Sequence, residues 1–83
     1  MDIEKLQAKA AAVIHRRRVQ SRLNRREFSD RIGCCRSSLS HIELGQFADI
    51  KLSVLVALAA EFGITAAALV EEIVSYEIPG KDA

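Results

Sequence analysis

Four glycines, at positions 33, 45, 63 and 80, and a single proline, Pro79, punctuate a chain whose apolar residues otherwise recur at helical spacing. Glycine and proline are the strongest local breakers. No stretch alternates apolar and polar residues as a strand does, and no segment repeats. The pattern predicts an all-α chain of five helices. In 83 residues this is one small domain, and the 49% of residues that are apolar suffice for its core.

Each predicted helix has its own start and stop. The first runs from Ile3 to about Ser21, with Ile3, Leu6, Ala10 and Ile14 on one face. Asn24 and Glu27 have the spacing of a capping box, so the second spans Arg25 to Ile32, buries Phe28 and Ile32, and stops at Gly33. The third begins after Cys35, turns Leu39 and Ile42 inward and ends at Gly45. The fourth covers about Ile50 to Phe62, with Leu52, Leu55, Leu58, Ala59 and Phe62 as its apolar stripe. Thr65 caps the fifth, "AAALVEEIVSYEI", which Pro79 breaks. Leu69, Val70, Ile73 and Val74 there exceed what one small core needs, which points to a partner surface.

A net charge of +1 conceals an uneven distribution. Residues 1–51 carry eleven Lys and Arg against six Asp and Glu, and residues 52–83 carry one against five. Most of the positive charge lies in "HRRRVQSRLNRREFSDRIGCCR", where eight arginines face only Glu27 and Asp30. On charge alone a solvated face is the commoner reading of such a run, with nucleic-acid binding beside it.

Cys34 and Cys35 are adjacent, and neighbouring residues bridge only through a strained ring. Metal binding is not expected either, since the other ligand types are His15 and His41 and no CxxC or HxxxH spacing occurs. Nor does any nucleophile and base, or carboxylate pair, stand at a catalytic spacing; the Ser and His of "SSLSH" are near each other by position only. No window approaches 18 uninterrupted apolar residues and "MDIEKLQAKA" is charged, so the chain is expected to be intracellular, with no membrane partner.

Two short helices joined by "IGCC", the second apolar within and polar without, have the sequence form of a helix-turn-helix. Residues 18–64 resemble the Xre family, the lambda-repressor and Cro-like helix-turn-helix proteins of bacteria and phages. The pieces that carry the resemblance are "LNRREFSDRIG", "CRSSLSHIELG" and "LVALAAEFGI". It implies a five-helix lambda-repressor-like DNA-binding domain whose second and third helices form the motif.

The resemblance also implies roles for residues. Arg36, Ser37 and His41 match base-reading positions, with Ser38 and Ser40 beside them. Asn24 and Arg25 match the helix N-terminus that meets phosphate; Arg25 stands where the family usually has Gln and adds a salt-sensitive attraction. Arg22 replaces a common Gly, so it is available to phosphate and carries a steric cost if positive φ is required there. Gln46 and Phe47 occupy the loop after the reading helix, with Lys51 as a compensating cation. Arg18 and Glu43 match a structural ion pair between helices one and three. Cys34 replaces a small aliphatic residue and is expected to be buried and inert, while Cys35 replaces the Ser or Thr cap of the reading helix. A helix N-terminus beside Arg36 favours the Cys35 thiolate, which leaves a redox role open beside the structural one. His15 is expected to be exposed on its helix.

The leading expectation is a sequence-specific, dimeric regulator of transcription on a two-fold symmetric, double-stranded DNA operator. It would be an autoregulatory repressor or activator of the small controller type, cytoplasmic and bacterial or phage-encoded, nucleoid-associated when bound. Residues 1–78 would form one domain, and 79–83 a short tail. The helix at about 65–77 would dimerise through Leu69, Val70, Ile73, Val74 and Tyr76. Asp30 matches a region with which some relatives touch RNA polymerase, although Arg26 breaks its acidic character, so polymerase or another protein stays open as a further partner. No cofactor or small-molecule ligand is expected, and no enzymatic activity. The alternative is an antitoxin or anti-activator acting through protein contacts, set against the short "GKDA" that follows Pro79.

Overall fold

A computed structural model describes residues 2–46 and 49–78, and they form five α-helices: α1 (Ile3–Gln20), α2 (Arg25–Ile32), α3 (Arg36–Glu43), α4 (Leu52–Phe62) and α5 (Ala66–Ser75). The expectations placed on Phe47, on Pro79 as a breaker, and on the tail 79–83 lie outside the described residues. No strand occurs among the described residues, and no single helix there is long and apolar enough to cross a membrane.

Local chemistry sets most helix ends. The Asp2 carboxylate accepts the Lys5 N–H at 3.1 Å and opens α1, with Glu4 in the first turn and Arg17 and Arg18 in the last, each charge matched to the helix dipole. At α2, Asn24 Oδ1 accepts from Glu27 N–H at 2.8 Å while Glu27 Oε1 accepts from Asn24 N–H at 3.1 Å, the reciprocal bonds of a capping box. Gly33 then takes φ 75°, and Cys34 N–H returns to the Ser29 carbonyl at 3.1 Å. Thr65 Oγ1 caps α5 by accepting from Ala68 N–H at 3.0 Å.

The core draws on every helix. Val13, Ile14, Phe28, Leu39, Leu58 and Leu69 are sealed from solvent, and Phe28 stacks on Phe62 with centroids 5.5 Å apart. Burial of a side chain the size of Phe28 contributes about 2–3 kcal/mol. In the packing, α1 meets both α3 and α5, α2 meets α3 and α4, and α4 lies on α5. Ion pairs lock the same neighbours at the surface. Arg16 and Arg17 of α1 both reach Glu72 of α5 at 2.7 Å, and Arg31 of α2 reaches Glu61 of α4 at 2.9 Å. Burial opposes the charge on Glu72, but hydrogen bonds from Arg17 and Arg16 outweigh it and hold the carboxyl below its ordinary range.

Several expectations from spacing need correcting. Ile3 and Leu52, placed on buried faces by period, are 55% and 73% exposed, because each stands at the first residue of its helix where the neighbours that bury Ile14 and Leu58 no longer reach. Gly45 takes the left-handed position expected of it just beyond α3 (φ 74°), whose last helical residue is Glu43; α4 starts two residues after Ile50, and α5 stops at Ser75. That last end precedes Pro79 because Tyr76 turns to extended geometry (ψ 136°), where its ring lies 5.3 Å from the Arg16 guanidinium carbon. Lys9 Nζ donates to the Val74 carbonyl at 3.2 Å, satisfying one of the acceptors left open at that end.

Candidate nucleic-acid interface

The turn between α2 and α3 is Gly33, Cys34 and Cys35. Cys34 is half-buried, and burial, with Cys35 alongside, pushes its thiol up. Cys35 occupies the N-cap of α3 but makes no side-chain cap bond. Its exposed Sγ instead lies 3.1 Å from Ser38 Oγ and 3.6 Å from Ser37 Oγ, and these contacts, Ser38 first, lower the thiol pKa to about 7.

Helix α3 is two-faced. Leu39, Ile42 and Glu43 are buried, whereas Arg36, Ser37, Ser38 and His41 are exposed and Ser40 is half-buried. On one flank, Asn24, Arg25, Arg26, Arg36 and Ser40 line one open depression. On the other, Ser38, His41, Gln46 and Lys51 share a groove of about 510 Å³ with the cysteines and Asp49. Arg22 and Ser37 line neither, although both are exposed. Arg22 is the only non-glycine with positive φ, at 61°, among the described residues. Arg26, which sequence reading treated only as an interruption of an acidic patch, joins the first depression; its place at the N-terminus of α2 was the signal for it.

Behind this face, Glu43 is enclosed. Arg18 reaches it in a fork, Nε to Oε2 at 2.6 Å and Nη2 to Oε1 at 3.1 Å, and Arg18 Nη1 continues to the Leu23 carbonyl at 2.8 Å. His15 Nδ1 donates to Oε1 at 2.9 Å and Arg25 Nε at 3.3 Å. Burial alone would raise the Glu43 carboxyl, but hydrogen bonds from Arg18 and then His15 prevail and it is held low. The exposed imidazole of His15 is thus engaged with α3, which its position in a basic run did not reveal.

Accounting for partners changes the meaning of the arginine cluster. Arg16, Arg17 and Arg31 bind glutamates of α4 and α5, and Arg18 and Arg25 bind Glu43. Among the described residues, Arg22, Arg26 and Arg36 are the arginines that make no ion pair, and Arg26 and Arg36 share the depression beside α3. Two of the three arginines without a carboxylate partner therefore lie beside α3.

On α5 the structure separates residues that the sequence grouped. Leu69 and Ile73 point into the core at 0% and 6% exposure, and Tyr76 packs against Arg16, so these three are occupied within the chain. Val70 and Val74 remain exposed and border an apolar groove of about 380 Å³ with Ile3, Leu6 and Leu55. No group of three His, Cys, Asp or Glu side chains able to hold a metal occurs among the described residues.

A family model for the helix-turn-helix domain matches residues 14–72, most of the chain and all of α2, α3 and α4. No curated protein matches the chain.

Proposed function

The chain belongs to the helix-turn-helix domain family, and on that premise we propose that it is a sequence-specific, DNA-binding regulator of transcription of the Xre type. The carrying observation is the division of α3, which anchors itself through Leu39, Ile42 and Glu43 and turns Arg36, Ser37, Ser38 and His41 outward. Arg36 has the fork to bind guanine O6 and N7, and the serines and His41 supply shorter donors and acceptors. Asn24, Arg22, Arg25 and Arg26 on one side, with Gln46 and Lys51 on the other, meet phosphate and set the register.

The operator is two-fold symmetric and the protein binds it as a homodimer, with reading helices one turn of DNA apart, roughly 34 Å. Val70 and Val74, with the groove beside Ile3, Leu6 and Leu55, form the isologous contact. The finer reading is a small controller protein that represses or activates its own promoter in the nucleoid, supported by the resemblance carried by α2, α3 and α4.

Selection from a random duplex pool tests the reading. The expected outcome is a two-fold symmetric motif that relaxes at one position per half-site in Arg36→Ala, a loss of about 1–3 kcal/mol in discrimination. Arg26→Ala should weaken all sequences alike. A folded protein that enriches nothing would instead favour the protein-binding alternative, an antitoxin or anti-activator working through the Val70 and Val74 groove.

A further inference from the structure

The two oxygens of Glu43 are loaded unequally. Among the described residues, Oε2 accepts one bond, from Arg18 Nε, whereas Oε1 accepts three, from His15 Nδ1 at 2.9 Å, Arg18 Nη2 at 3.1 Å and Arg25 Nε at 3.3 Å. A carboxylate oxygen has two lone pairs, so the three donors cannot all be well served. Arg18 is fixed, with an 11% exposed side chain, a second tie to the same carboxylate and a third to Leu23. Competition for Oε1 therefore falls between His15 and Arg25, and Arg25 holds the longer bond. Arg25 also lines the depression with Asn24, Arg26, Arg36 and Ser40, so its guanidinium stands between the buried carboxylate and the outer face.

We propose that His15 is a positioning residue for Arg25: by taking Glu43 Oε1 when charged, it releases the Arg25 guanidinium toward phosphate, so that DNA affinity follows the charge of an imidazole on α1. The idea rests on the reading of α3 as the DNA-reading helix. Because a carboxylate only accepts, Nδ1 carries the proton of the His15 bond in both charge states, and the added proton enters from solvent at Nε2. The imidazolium then makes a charge-assisted bond to Oε1, stronger than that of the neutral ring. It also balances the carboxylate that had attracted Arg25. The charged groups facing His15 are Glu43 of α3, Arg25 of α2 across the shared oxygen, and Arg18 on its own helix with Nη2 3.5 Å from Nδ1. On the α5 side of α1, Glu72 is taken by Arg16 and Arg17. The imidazole is the one side-chain type in this cluster that ordinarily changes charge between pH 5 and 8, which sets the range of the test.

The test is a double-mutant cycle of His15→Gln and Arg25→Gln, read as the ratio of affinities at pH 6 and pH 8 for one random-sequence duplex. His15→Gln should lower that ratio by about threefold when Arg25 is present and leave it unchanged in Arg25→Gln. His41 is common to all four proteins, so any contribution from it cancels. An equal drop in both backgrounds would mean that His15 acts on DNA as a plain charge, and no drop that it does not act; either overturns the proposal. A second readout needs no DNA. The Arg25 Nε–H resonance, protected from exchange at pH 8, should lose protection at pH 6 in the wild type and keep it in His15→Gln. If that signal responds as expected while the folded protein binds no duplex, the regulator reading fails and the positioning role stands. An unresponsive signal overturns the role itself.

Discussion

Helices α2 and α3 are both eight residues long and meet at one turn, yet they are held by different means. α2 closes its own N-terminus with the Asn24 and Glu27 box and its C-terminus with Gly33 in the left-handed region. α3 has no side-chain cap, and its order comes from Leu39 and Ile42 in the core and from Glu43 gripped by Arg18. α2 thus satisfies its ends locally, whereas α3 takes its order from tertiary contacts. That arrangement leaves the first turn of α3 open to an outside partner.

The contrast is broken most severely at Glu43. Glu43→Ala leaves Arg18 without its buried partner and should cost about 3–5 kcal/mol in urea unfolding, with amide exchange in α3 accelerating more than in α2. Equal acceleration in both helices would show that α3 is not held from behind. The same carboxylate gives a pH signature. Its pKa is depressed in the folded protein, so its stabilisation is present above the ordinary Glu value of about 4.3 and is lost as pH falls through the folded value. The carboxylate's own contribution to the urea midpoint should therefore be level from pH 7 to 5 and drop below that, and Glu43→Gln should reduce the drop, to which the depressed Glu72 also contributes.

Smaller changes sharpen the comparison. Asn24→Ala should cost about 1 kcal/mol, while Cys35→Ala at the matching position of α3 should leave the unfolding midpoint in place. Arg22→Gly removes a side chain from φ 61° and should stabilise by about 1 kcal/mol while weakening binding to every duplex. The slightest intervention is chemical. Alkylation of Cys35 should rise with pH through a midpoint of about 7, and Cys34 should react later, since the serine hydroxyls assist only the exposed thiol.

What could be read from the chain alone follows the same division. The bounds of α2 were legible because Asn24, Glu27 and Gly33 encode them within a few residues of each other. The partners of Glu43 were only half legible, since His15 and Arg25 lie 28 and 18 residues away and meet it through packing. α5 misled because its Leu69, Val70, Ile73 and Val74 are apolar on adjoining faces, so spacing could not say which pair α1 and α4 would cover. In the arginine run, composition shows charge but not the glutamates of α4 and α5 that consume it.

That consumption has a thermodynamic consequence for binding. Each phosphate neutralised on duplex DNA releases close to one condensed counterion, and the slope of log affinity against log salt counts them at about −0.9 apiece. Eight arginines at face value would give a steep slope. With Arg16, Arg17, Arg18 and Arg31 committed to glutamates and Arg36 assigned to a base edge, Arg22, Arg26 and, once it leaves Glu43, Arg25 remain for phosphate, and the arginines of one chain should release roughly three ions.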